Sequence, residues 1–155
     1  MRYFTTLVLL IFSTDAFSCS CVAYAGSEET ILKQAYARSD IIFVGSVFSE
    51  KADPNEFDLG MRETEFRVSM GIKGEPLPRI TTKIWAGCCA CGYDFNVGQI
   101  YLVFANKHPE YPGLYTASTC SLTSRYNESA QKRFRWLAEK YKVWLGETYK
   151  ARQSE

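Results

Sequence analysis

The stretch Ile41-Ile42-Phe43-Val44-Gly45-Ser46-Val47-Phe48 decides the predicted fold. Its residues are mostly β-branched or aromatic, and these types are enriched in strands because they pack well on a pleated surface. The stretch therefore predicts a central β-strand.

Four other segments also have strand character, beginning with residues 64–70, where apolar and polar side chains alternate. Residues 79–85 place Ile80, Thr82 and Ile84 on one face. Residues 99–105 are apolar enough to predict a strand that is buried on both sides. Residues 114–118 predict a short fifth strand. Turn-forming residues separate these segments at Asp53-Pro54-Asn55, at Lys73-Gly74-Glu75-Pro76 and over 106–113.

Two segments predict helices. The first runs from Ser27 to Arg38, because Ser27 can cap it and the two glutamates that follow favour a helix N-terminus. The second starts at about residue 127 and has one apolar stripe, formed by Phe134, Leu137, Ala138, Tyr141 and Leu145. Five strands without strand–helix alternation predict a mainly β fold. We expect a five-stranded OB-fold barrel with flanking helices, one of them C-terminal, since barrel closure removes exposed sheet edges.

Length and composition limit the function classes. A chain of 155 residues with 46% hydrophobic and 15% aromatic residues is long enough for one packed domain. Its 18 basic and 17 acidic residues nearly balance, which argues against nucleic-acid binding, because such proteins carry a basic excess. We expect a monomer that needs no cofactor.

The first eighteen residues resemble a secretion signal. Arg2 supplies the positive start, residues 7–12 form a short apolar run, and Ala16-Phe17-Ser18 provides small residues before a cut at Cys19. The apolar run is shorter than the roughly 20 residues of a membrane-spanning helix. We therefore expect one domain over residues 19–155, without a membrane span. It would be secreted or extracellular, or periplasmic in a Gram-negative bacterium. A lipoprotein signal with lipid on Cys19 is the alternative.

All six cysteines lie in the part expected to be exported, where an even number predicts disulfides. Cys19 and Cys21 point to the same side of an extended segment and are poorly placed to bond each other. Each is expected to reach a distant cysteine and so hold the N-terminus on the domain. The other cysteines are Cys88, Cys89, Cys91 and Cys120. Spacing alone leaves their pairing open.

The sequence Cys88-Cys89-Ala90-Cys91 also has a C-x-x-C spacing, which allows two other interpretations. A structural zinc site would need four ligands, which Cys19 or Cys21 could complete. A thioredoxin-like redox motif would need a helix to begin at this point. Asn127-Glu128-Ser129 matches a glycosylation sequon, which matters only in a eukaryotic protein.

Little in the sequence indicates catalysis. The single histidine, His108, precedes a proline in a loop, where an exposed side chain is the ordinary expectation. The chain has no H-E-x-x-H, G-x-S-x-G or phosphate-binding glycine motif. A cysteine nucleophile would need a histidine partner, and the cysteines are expected to form disulfides. We therefore expect no catalytic residues and no enzyme activity.

Several short motifs, taken together, resemble the N-terminal, netrin-like domain of the tissue inhibitors of metalloproteinases and their shorter bacterial relatives. They occur in the family's order over roughly residues 19–123. The motifs are Cys19-Ser20-Cys21-Val22, Ile42-Phe43-Val44-Gly45, Lys73-Gly74, Cys91-Gly92-Tyr93, Tyr101-Leu102-Val103 and Thr119-Cys120-Ser121. The family fold is an OB barrel, in agreement with the predicted strands.

The resemblance implies disulfides Cys19–Cys91 and Cys21–Cys120, which leaves Cys88 and Cys89 as additional cysteines. It also implies a zinc metalloendopeptidase as the partner. Cys19, Ser20, Cys21 and Val22 would bind the protease. The amine and carbonyl of Cys19 would coordinate the protease's zinc, in the position that a catalytic zinc keeps open. Ser20 would project into the pocket beside the scissile bond.

Two residues depart from the family pattern. Family members usually carry Thr where this chain has Ser20, and Pro after the valine where it has Ala23. A different class of function therefore stays open. The same barrel could serve as a secreted or periplasmic protein-binding module that inhibits no protease, because a fold does not fix a function.

Overall fold

The computed structural model describes residue 21 and residues 23–52, 60–85 and 91–146. Its elements are α1 (Glu28–Arg38), β1 (Ile41–Ala52), β2 (Met61–Lys73), β3 (Arg79–Trp85), β4 (Ile100–Lys107), β5 (Tyr115–Ala117), β6 (Ser124–Arg125), α2 (Glu128–Lys140) and β7 (Trp144–Leu145). The proposed secretion signal lies outside the described residues, as do Cys19, Ser20, Val22, Cys88 and Cys89.

Five strands close into a barrel, as the sequence predicts. The strand order is β1-β2-β3-β5-β4, and β4 also pairs with β1, which closes the ring. Neighbouring strands are antiparallel except β3 and β5, which run parallel where Thr82 pairs with Tyr115. The fold is a mainly β, OB-fold-like barrel with flanking helices.

Two apolar clusters explain why β1 and β4 are so hydrophobic. Alternate residues of both strands point into the barrel, where Phe43 and Val103 join Phe66 and Phe95. The residues between them point outward and pack beneath the helices. This second cluster contains Ile42, Val44, Leu102 and Phe104 from the strands and Leu32, Ala35, Ala130, Phe134 and Leu137 from the helices. Both faces of β1 and β4 are therefore buried.

The two helices begin at the expected residues. The Ser27 side chain accepts a hydrogen bond from the Thr30 N–H, and the Asn127 side chain accepts one from the Ala130 N–H. Each cap satisfies a backbone donor that the first helical turn leaves unpaired.

The prediction that the apolar stripe continues through Tyr141 and Leu145 is wrong. Helix α2 ends at Lys140, with extended backbone at Tyr141. Leu145 instead lies in β7, where it pairs with Met70 on β2. The neighbouring Trp144 pairs with Gly71, whose missing side chain leaves room for the indole ring. The periodicity was misleading because Leu145 is partly covered by a strand pairing and not by the helix.

Candidate functional site

The structure fixes the N-terminal segment to the barrel through one described disulfide. Cys21 is bonded to Cys120, which lies 99 positions further along the chain and just after β5. This is one of the two pairings that the resemblance implies. Cys21 is exposed, so the segment that it anchors lies on the surface.

The loop that carries Cys120 is held by its own serine and threonine side chains. The Cys120 N–H donates to Ser118 Oγ at 3.0 Å, and Ser121 Oγ donates to the Ser118 carbonyl at 2.7 Å. Thr123 Oγ1 accepts from the Phe104 N–H at 2.9 Å and donates to the Phe104 carbonyl at 3.2 Å. These bonds fix the loop to β4, so the backbone around Cys120 is held in place on the barrel.

Cys91 lies directly beside this loop. The Thr119 N–H donates to the Cys91 carbonyl at 2.8 Å, and Gly92 forms an isolated bridge with Ser118. Cys91 is itself disulfide-bonded. Because Cys21 and Cys120 bond each other, its partner is Cys19, Cys88 or Cys89, which all lie outside the described residues. The Cys19–Cys91 pairing therefore stays a prediction.

Cys91 and Cys120 lie on adjacent backbone segments, which the Thr119 hydrogen bond joins. The disulfide to Cys120 brings Cys21 to the same place. We call these residues, Cys21, Cys91 and Cys120, the anchor corner.

The chain that follows Cys21 is also restrained. The Tyr24 ring lies 5.1 Å from the Arg38 guanidinium carbon, and Gln34 Nε2 donates to the Ala25 carbonyl at 3.1 Å. Gly26 has a φ of +113°, a conformation that few other residues adopt, and it turns the chain into α1. The segment is therefore held at both ends, by the disulfide and by the helix.

A shallow groove of about 260 Å³ lies beneath this segment. Tyr24 and Arg38 form one wall, and Phe104, Asn106, Thr116 and Ser118 contribute the barrel side. It contains no arrangement of acid, base and nucleophile. Among the described residues, no group of three or more His, Cys, Asp or Glu side chains could hold a metal ion.

The two alternatives for the C-x-x-C sequence can be judged at its described residue. Cys91 and Cys21 are both oxidised in disulfides, so neither is the free thiolate that zinc requires. Residues 93–96 that follow Cys91 are not helical, whereas a thioredoxin-like cysteine pair lies at the start of a helix. Cys88 and Cys89 lie outside the described residues.

The expectation of an exposed His108 is wrong. Its side chain is 9% exposed, and its Nδ1 accepts hydrogen bonds from the N–H groups of Glu110 and Tyr111, each at 3.2 Å. The Tyr111 ring also contacts the imidazole edge-on. The histidine thus shapes the loop between β4 and β5, because it satisfies two backbone donors there.

Few side chains of the described residues have a clearly shifted pKa. Burial raises the pKa of Tyr93, which packs against the barrel core beside Tyr101, and burial also raises the pKa of Tyr115. On α1, a hydrogen bond and ion pair from Lys33 lower the pKa of Glu29. None of these groups lies in the anchor corner.

The sequence predicted the cysteines of the anchor corner but not the side chains that support it. Ser118, Ser121 and Thr123 belong to a run rich in serine and threonine, a composition typical of side-chain-to-backbone turns, and that signal could have found them.

No family model matches the chain, and no curated protein matches it. No helix among the described residues is long and apolar enough to cross a membrane.

Proposed function

We propose that the protein is an inhibitor of zinc metalloendopeptidases and acts through a chain that begins at Cys19. The observation that carries the proposal is the anchor corner, in which exposed Cys21 is bonded to Cys120 and Cys91 is held alongside. In this proposal the protein is exported, is not an enzyme and holds no metal of its own.

The proposed mechanism needs a free α-amine at Cys19. That amine and the Cys19 carbonyl oxygen would coordinate the protease's zinc as a five-membered chelate and displace its water. An α-amino group has a pKa of about 7.7–8.0, so removing its proton near neutral pH costs little free energy. Ser20 would then enter the pocket beside the scissile bond, with its hydroxyl near the protease's catalytic carboxylate.

Rigidity is the physical argument for placing two disulfides around such a terminus. A flexible segment loses conformational entropy when it binds, and about 0.5–1.5 kcal/mol is lost for each side chain that becomes fixed. Cys21 is already fixed to the barrel, and the Tyr24–Arg38 contact holds the chain on its other side. A segment restrained in this way enters a protease cleft with little further loss of entropy.

The test is a titration of a panel of zinc metalloendopeptidases with oxidised protein that begins at Cys19. The matched control is the same protein with one additional Ala before Cys19, which moves the α-amine away from the carbonyl that would complete the chelate. Inhibition by the first protein and not by the second supports the proposal. Equal inhibition by both, or none by either folded protein, overturns it for that panel.

The second candidate is a protein-binding module that does not touch zinc. The outer face of the barrel carries exposed apolar and charged side chains, such as Phe48 and Arg67, which could bind a partner without the N-terminus. This candidate is favoured if the protein binds a partner equally well with and without the additional Ala.

A further inference from the structure

One side chain on the outer face of the barrel, that of Phe48, lies at a β-bulge. In the pairing of β1 with β2, Val47 lies opposite Phe66 and Ser49 lies opposite Glu65. Phe48 therefore has no partner across the strands. Bulges redirect a side chain and often occur at functional sites. The Phe48 side chain is 49% exposed, although a phenylalanine is normally buried.

Two arginines lie over this phenylalanine. The guanidinium carbons of Arg67 and Arg79 are 5.0 and 5.6 Å from the centre of the Phe48 ring. The two arginines are also directly opposite each other on β2 and β3. Like charges directly opposite each other destabilise a sheet, and the contacts of both guanidinium groups with the Phe48 ring offset that cost. The fold therefore keeps two positive charges together on its surface around one exposed aromatic ring.

The charge of this pair is only half compensated. Glu65 Oε1 accepts from Arg79 at 3.3 Å, and its other oxygen accepts from Ser49 at 3.2 Å. In the part of the chain that the structure describes, no carboxylate pairs with Arg67. Its guanidinium is exposed and can still bind a carboxylate through two parallel hydrogen bonds.

The same row of residues continues into exposed apolar surface. Ser46 pairs with Arg67 on one side and with Ile100 on the other, so these side chains share the outer face. Ile100 is 49% exposed. Val97 is 57% exposed and precedes Gly98, whose N–H donates to the Val47 carbonyl on β1. Three of the four exposed large hydrophobic residues of the described chain therefore lie here, namely Phe48, Val97 and Ile100.

We propose that Phe48, Arg67, Arg79, Val97 and Ile100, here called the Phe48 surface, bind a protein segment that presents a carboxylate beside an apolar side chain. The carboxylate pairs with Arg67, and the apolar side chain covers Phe48 and Ile100. Arginine and aromatic residues are the types that most often dominate protein interfaces. A bare polyanion would leave the apolar half of the surface uncovered, so the combination favours a protein segment.

This inference is independent of the proposed inhibition. The Phe48 surface is formed by β1, β2, β3, the start of β4 and Val97 just before it, and it shares no residue with the anchor corner of Cys21, Cys91 and Cys120. Its partner can be the body of a protease or another protein.

The test uses the full oxidised protein, labelled with ¹⁵N, and a capped hexapeptide of alternating Glu and Leu. Amide shifts are followed during titration, and the apparent dissociation constant is measured. A peptide with Gln in place of Glu and the polyanion dextran sulfate serve as comparison ligands. The variants are Arg67→Gln and Phe48→Ser, with Arg135→Gln, on the exposed face of α2, as the matched control.

We expect the Glu–Leu peptide to shift amides of residues 46–48, 66–68 and 97–100. The Gln–Leu peptide should bind the parent protein about tenfold more weakly than the Glu–Leu peptide does. The Glu–Leu peptide should bind Arg67→Gln about tenfold more weakly than it binds the parent. Each change removes one charged pair. Phe48→Ser should weaken binding similarly, and Arg135→Gln should not change it. Both surface variants should stay folded, because their side chains are exposed.

Three results would overturn the proposal. The first is no shift at these residues with either peptide. The second is binding of dextran sulfate alone, which would assign the surface to a polyanion. The third is a concentration-dependent dimer of the free protein that Phe48→Ser abolishes, which would make a second copy of the chain the occupant.

Discussion

The Thr119 N–H donates to the Cys91 carbonyl at 2.8 Å, so the backbone segments that carry Cys91 and Cys120 lie side by side. Both cysteines are disulfide-bonded, and Cys120 is bonded to Cys21. The chain near Cys21 is thus attached to the barrel at the place where the segments at Cys91 and at Cys120 lie side by side. In the proposed inhibitor, this attachment would present the terminus at Cys19 to the protease in one geometry.

Removing the Cys21–Cys120 disulfide should destabilise the fold. A bridge that closes a loop of about a hundred residues restricts the unfolded chain strongly, and its loss costs about 2–5 kcal/mol. We expect the double variant Cys21→Ala with Cys120→Ala to lose that much free energy of unfolding in urea denaturation. An unchanged midpoint and slope would show that the bridge contributes no stability.

The cysteine pairing can be tested without disturbing the anchor corner. If Cys19 is the partner of Cys91, replacing Cys88 and Cys89 together by serine leaves Cys91 oxidised. Non-reducing peptide mapping by mass spectrometry should then find a Cys19–Cys91 cross-link in the variant. A free Cys91 thiol would instead assign its partner to Cys88 or Cys89.

The short strand β7 depends on the absence of a side chain at Gly71. A Cβ atom at that position would overlap the ring of Trp144. Overpacking of this kind costs about 1–3 kcal/mol, so we expect Gly71→Ala to lower the free energy of unfolding by that amount.

Trp144→Ala provides the matched background for this change. In that background Gly71→Ala should cost clearly less, because the overlap is gone, and the double-mutant cycle should show coupling. Strict additivity of the two changes would mean that the indole ring does not lie over Gly71.

The cap of α2 predicts a smaller effect. Asn127 Oδ1 accepts from the Ala130 N–H at 3.0 Å. Asn127→Ala removes this acceptor and should cost about 1 kcal/mol in thermal or urea unfolding. Asn127→Asp retains an acceptor and should stay within about 0.5 kcal/mol of the parent. Equal losses in both variants would indicate that the asparagine stabilises the protein by other contacts.

The sequence predicted the barrel because its five strands have clear local signals. β3 has the predicted bounds, the predicted Ser27 cap of α1 is confirmed, and α2 starts at Glu128, next to the predicted residue 127. The last four residues of β1 were missed, as were the first three and the last three of β2. At the missed end of β1, Glu50 pairs with Thr64 and Ala52 with Arg62, and Glu50 and Arg62 form an ion pair at 3.4 Å. This part of the hairpin has no hydrophobic pattern that a strand prediction could use.

The remaining differences arise from contacts that hydrophobic periodicity does not encode. Leu145 has helical spacing but pairs with Met70 on β2. His108 is buried, and its Nδ1 accepts hydrogen bonds from two backbone N–H groups of its own loop. The surroundings of Phe48 depend on a bulge and on two arginines from other strands. The partners of Leu145 and Phe48 are distant in sequence, whereas those of His108 lie only two and three residues further along the chain.

The most direct measurement for the central claim is the visible spectrum of a cobalt-substituted metalloendopeptidase from the panel. If the amine and carbonyl of Cys19 bind the metal, adding the protein should change the cobalt bands stoichiometrically, because the coordination geometry changes. The protein with an additional Ala before Cys19 should leave them unchanged. Inhibition without any change in the bands would contradict chelation by the N-terminus.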